Sequence, residues 1–79
     1  LLNIYLNNAA NKLSIQKAST IEIKKIDIYN MLGQAIFTTN KFNTSDIFSV
    51  DFPSNTSTGV YIVKVTTNVG NHSKKVIKD

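Results

Sequence analysis

"GVYIVKV", residues Gly59 to Val65, is the stretch that decides the fold. Val60 and Ile62 point one way along an extended chain, and Tyr61, Val63 and Val65 point the other. Apolar residues on both faces mark a strand in the middle of a sheet rather than at its edge. One small sheet cannot cover both faces of such a strand, so the pattern calls for two packed layers.

Outward from that strand, short apolar runs alternate with turn residues along the whole chain. "LLNIYL" (1–6) ends at the Asn7-Asn8 turn signal, and "KLSIQ" alternates Leu13 and Ile15 with Ser14 and Gln16. In "IEIKKIDIY" the apolar parity set by Ile21 and Ile23 changes at Lys24-Lys25 before Ile26 and Ile28, the mark of a bulge or of a strand starting near Lys24. "NMLG" (30–33) is a tight turn with Gly33 at the positive-φ position, which pairs residues 24–29 with 34–39. "IFSVDF" sets Phe48, Val50 and Phe52 on one face, with Ser49 and Asp51 on the other, and Pro53 ends it. "NVGN" (68–71) then turns the chain into a last strand, "HSKKVIK". Helical periodicity is sustained nowhere. About seven short antiparallel strands in 79 residues predict an all-β, immunoglobulin-like sandwich of Greek-key type. Tyr61 enters the penultimate strand from a loop, where such sandwiches keep a tyrosine bonded back to an upstream backbone group.

A chain of 79 residues holds one small core, and without cysteine no disulfide supports it and no thiolate is available for metal binding or catalysis. The sequence starts Leu1-Leu2-Asn3 and its one methionine is Met31, which predicts a piece of a longer protein. It shows neither a run of about 18 apolar residues nor a charged-then-apolar leader. Nine lysines against five acids give a net charge of +4, but there is no arginine, the residue that reads phosphates and bases in bidentate fashion. Ten isoleucines and ten asparagines accompany the lysines, and A/T-rich codons account for all three. Nucleic acid is therefore not the expected partner.

Catalytic chemistry is not evident. His72 has no partner histidine and sits beside a turn as a solvated side chain. Asp27 and Asp51 alternate with apolar residues, as outward solubilising charges do. No serine has a nucleophile-elbow setting, and three glycines make no phosphate loop. The expectation is a domain that is not an enzyme and uses no metal, cofactor or small-molecule substrate. The N-x-S/T triplets at Asn43, Asn55 and Asn71 are what ten asparagines and fifteen hydroxyl residues produce by chance. Phe48 and Phe52 look like core, while Phe42 sits in a polar linker.

Taken in order, "IKKIDIYNMLGQAI" and "STGVYIVKVTTNVGNHSKKVIKD" closely resemble the C-terminal sorting domain of the type IX secretion system, found at the ends of exported Bacteroidota proteins. The family pattern is an I-Y-N-x-x-G-Q hairpin, a G-x-Y strand, a polar glycine turn and a lysine-bearing last strand. Ile28, Tyr29, Asn30, Gly33 and Gln34, then Gly59 and Tyr61, then Gly70, Lys74 and Lys75 supply it here. Where the family usually opens with Y-P-N-P, this chain has Tyr5-Leu6-Asn7-Asn8 and lacks both prolines that would stiffen the entry turn. The resemblance implies that residues 1–79 are one sorting domain from a longer exported protein. Its parent would cross the periplasm, engage the outer-membrane translocon, lose the domain to a sortase, and end at the cell surface or secreted.

The residues expected to meet the translocon are Gly59, Tyr61 and Gly70 of the family pattern with Lys74, Lys75, Val76, Ile77 and Lys78 of the last strand. An edge strand offers unpaired N–H and C=O groups for strand addition, and its lysines add charge that an acidic groove reads. Lysines on an edge also guard against aggregation, and the two roles are compatible. A monomer is expected, with edge-to-edge pairing of two copies as its variant. The rival is an immunoglobulin-like adhesion or carbohydrate-binding module, which requires exposed aromatics on a concave face.

Overall fold

In a computed structural model, which describes residues 2–40, 46–53 and 56–79, the alternating runs form seven strands. They are β1 (Leu2–Asn7), β2 (Lys12–Lys17), β3 (Ile23–Tyr29), β4 (Ala35–Thr39), β5 (Ile47–Asp51), β6 (Gly59–Thr67) and β7 (Gly70–Lys78). Phe42, Asn43 and Asn55 lie outside the described residues. Every strand pairing is antiparallel, in a three-stranded sheet of order β1-β2-β5 and a four-stranded sheet of order β4-β3-β6-β7. The chain changes sheet after β2, β4 and β5, and β5 returns to lie beside β2, which is the expected Greek-key sandwich.

The core is the seam between the two layers. Ile4, Leu13 and Ile15 face Ile26, Ile28, Tyr61, Val63, Val65 and Val76, all buried, and Phe52 closes one end. Phe52 comes just after β5 and is held by Asn11: the Asn11 C=O accepts from the Phe52 N–H, and Asn11 Nδ2 donates to the Phe52 C=O, both at 3.0 Å. Its ring meets Tyr61 edge-to-face, with centroids 5.3 Å apart. The Tyr61 hydroxyl in turn donates to the Ser57 C=O at 2.7 Å, so the tyrosine bonds back to the loop it follows, as the sequence predicts.

β6 is central by hydrogen bonding, flanked by β3 and β7. Only its inner face is sealed, however. Tyr61, Val63, Val65 and Thr67 are buried, whereas Val60 and Ile62 on the outer face stay partly exposed because, among the described residues, no third layer lies over them. The parity change in β3 is a register shift between Ile23 and Lys25 against β6, so the bulge is real.

Two polar residues expected to face solvent do not. Asp27 is on the outer face, but it is only 5% exposed, because Thr38 Oγ1 donates to its carboxylate across the β3–β4 pair and Lys25 approaches to 3.8 Å. Ser14 is 8% exposed and shares a hydrogen bond with Ser49 across β2–β5.

The Asn30–Gly33 turn shows why the hairpin motif has its composition. The Asn30 C=O accepts from Gly33 N–H, and Gly33 has φ of 84°, which a side chain resists. Asn30 Oδ1 accepts from the N–H groups of Leu32 and Gln34, and its Nδ2 donates to Gln34 Oε1 at 2.9 Å.

Replacing Tyr61 by Phe keeps the ring and removes one hydrogen bond to a loop carbonyl. The expected loss is about 1 kcal/mol, a fall in Tm of about 4–8 °C for a domain of this size. An unchanged thermal midpoint by circular dichroism would show that the hydroxyl carries no stability.

Candidate recognition strand

β7 has one neighbour in its sheet, β6. Asn68 and Val69 form a two-residue loop, so Thr67 and Gly70 pair directly and exchange hydrogen bonds. Alternation then turns Gly70, His72, Lys74, Val76 and Lys78 toward β6, while the backbone groups of Asn71, Ser73, Lys75 and Ile77 point away. The far end of this outward row is closed. Asn8 Nδ2 donates to the Ile77 C=O, and Asn8 Oδ1 accepts from the Asp79 N–H, both at 3.0 Å. One side-chain amide thus imitates a short length of strand, and Asn8 is the position where the usual family segment has its second proline. Among the described residues, what remains open is the outward backbone of Asn71, Ser73 and Lys75.

The side chains of the expected set divide sharply. Gly59 and Gly70 open the two strands with φ of 145° and 126°. Tyr61 and Val76 are buried and belong to the core. Lys74 and Lys75 are exposed on opposite faces, Lys74 across from Val63 and Lys75 across from Ile62. Ile77 is 61% exposed on the outer face.

Lys78 is not a free charge. Its ammonium donates to the Thr56 C=O at 2.9 Å and to Thr56 Oγ1 at 2.5 Å, with the Pro53 C=O at 3.4 Å, and it lies 5.6 Å from the centroid of the Phe52 ring. Three oxygens and a ring face therefore hold the lysine within the domain.

The other lysines show where charge is left uncompensated. Lys12 pairs with Asp51, Lys17 with Asp46, Lys24 with Glu22 and Lys25 with Asp27. Among the described residues Lys64, Lys74 and Lys75 have no acidic partner, and all three are on β6 and β7. Lys64 pairs across the ladder with Ser73, next to Lys74. Ion pairs at the surface contribute little to stability, so these four pairs matter here mainly because each neutralises its lysine. His72 is exposed on the same strand.

The order of these elements also matches a known family. The model of the secretion system C-terminal sorting domain matches residues 3–79. The chain belongs to that family. It is accordingly a sorting signal for type IX secretion, one that directs export toward the cell surface or the extracellular space and engages the secretion machinery. No curated protein matches the chain. Among the described residues Tyr5 is the aromatic open to solvent, 44% exposed, and no row of exposed rings lines a concave face.

The sorting domain's two end-fixing contacts were not expected from sequence. A signal for the Lys78 cage was present, since Lys78 shares its strand face with the buried Val76. For Asn8 the only cue was an asparagine where the family pattern has a proline. Lys78→Met, which keeps the aliphatic stem but removes the ammonium, is expected to lower stability by about 1–2 kcal/mol, and Asn8→Ala by about 1 kcal/mol. Urea unfolding checks both: each midpoint falls at constant m, and two unmoved midpoints would show that the last strand needs neither contact.

Proposed function

We propose that residues 1–79 form a non-catalytic sorting domain carried at the end of a longer exported protein, and that the outer-membrane translocon reads it through β7. The observation that carries this reading is the coincidence, on one strand, of an open backbone edge at Asn71, Ser73 and Lys75 with the unpaired cations Lys74 and Lys75. The edge offers donors and acceptors to an extended segment of the translocon, and the lysines select a segment or groove rich in acids. After transit from the periplasm a sortase removes the domain. Tyr61, Val76 and Lys78 support this strand from inside rather than touching the partner.

Charge also favours the single copy over an edge-to-edge pair. Two β7 strands paired antiparallel about Ser73 would set Lys74 against His72 and Lys75 against Asn71, gathering two lysines from each copy on one ribbon. An acidic partner removes that repulsion, and a second copy adds to it.

The test is fusion of residues 1–79 to a periplasmic reporter in a host with a type IX secretion system. The reporter is expected in the medium or on the cell surface, and its retention in the periplasm would overturn the reading. Exchanging Lys74 and Lys75 together for Ala removes two exposed charge contacts, each about 0.2–1 kcal/mol, so affinity and export at limiting expression should fall about 2- to 30-fold. Normal export of the double variant would end the role assigned to charge.

A further inference from the structure

The Asn30–Gly33 turn holds two large apolar residues where small polar ones ordinarily sit. Met31 is 62% and Leu32 85% exposed, so neither contributes to the core. Yet the turn beneath them is built rigidly, with Asn30 and Gln34 supplying four hydrogen bonds besides the turn's own. A fixed backbone that displays two apolar side chains has little ordering left to lose when they are buried by a partner.

These residues do not stand alone. Met31 and Leu32 line one shallow depression with Gly59 and Val60 at the start of β6. Val60 is directly across from Ile77, itself 61% exposed, and Tyr29 is directly across from the half-exposed Ile62. The outer face of the four-stranded sheet therefore carries a continuous apolar surface that runs from the turn to β7. Monomeric domains keep such surfaces small unless something covers them. Lysines border it: Lys75 pairs with Ile62 and Lys64 follows along β6, while Asp27, the acid of this face, is covered and bonded to Thr38.

We infer that this face is a second docking surface, with Met31 and Leu32 as its anchors, for a protein partner that presents an apolar groove rimmed by acids. This rests on the sorting reading above and names a different part of the domain as what the machinery holds. A second copy would bring the same lysines against each other. A lipid surface would accept the lysines and apolar tips but has no use for the hydrogen-bonding edge of β7, which continues directly from the patch. A protein partner uses both.

The reporter fusion tests it with Met31→Ser/Leu32→Ser alongside Leu32→Met. Because both positions are exposed, the thermal midpoint of the double serine variant should stay at the wild-type value. Its export should fall at least about tenfold, the effect of losing anchor residues, and Leu32→Met should export normally. Equal export of wild type and the serine variant overturns this inference and leaves the sorting reading standing. Failure of the wild-type fusion itself overturns both. Light scattering and flotation with phosphatidylglycerol vesicles complete the comparison. Self-association or vesicle binding that the serine variant loses would assign the patch to a second copy or to lipid, and either result overturns the inference.

Discussion

The contact between Tyr61, Phe52 and Lys78 joins the middle of this domain to its last strand. Tyr61 belongs to β6, an interior strand paired with β3 and β7, and its hydroxyl fixes the Ser57 carbonyl. Phe52 packs edge-on against that ring, and the Lys78 ammonium lies over Phe52 while bonding Thr56. Each link uses a different force: a hydrogen bond, an aromatic contact, and a cation set among oxygens and a π face. With 79 residues and no disulfide, the core is small, and side chains that serve two elements at once matter more than they would in a larger domain.

From that constraint follows the difference between the two sides of β7. The inward side is anchored: Val76 is in the core, Lys78 is in its cage, and the backbone is bonded to β6. On the outward side, among the described residues, the far end alone is engaged, where Asn8 takes Ile77 and Asp79. A strand so fixed is presented in one register and one orientation, which is what recognition by strand addition requires. The chain belongs to a family of sorting signals, and under the reading proposed above this edge is the part offered to the machinery.

Much of this was legible in the residues themselves. Strand number, the hairpin at Gly33, the bulge near Lys24 and the Tyr61 hydrogen bond are consequences of local pattern, and pattern is what a sequence displays. Three features were not. Asp27 has the spacing of an outward residue, and its burial depends on Thr38 and Lys25 covering it on a face that is otherwise open. Lys78 was expected to face a partner with Lys74 and Lys75, but its cage is built by a loop more than twenty positions earlier. Asn8 meets Ile77 and Asp79 across nearly the whole chain, a pairing that no local rule reaches. The two-faced pattern of β6 correctly marked a central strand, yet it overstated burial, because Val60 and Ile62 line an open surface.

The central claim is that β6 holds the domain while the outward edge of β7 is left open to be read. Residue-resolved amide hydrogen exchange on the isolated domain tests it directly. Val63 and Val65 should exchange only through global unfolding, and the Asp79 amide should be slowed by Asn8, whereas Ser73 and Lys75 should exchange nearly as fast as unstructured peptide. Protection of Ser73 and Lys75 comparable to that of Val63 would mean that the edge is already covered, and would contradict the account.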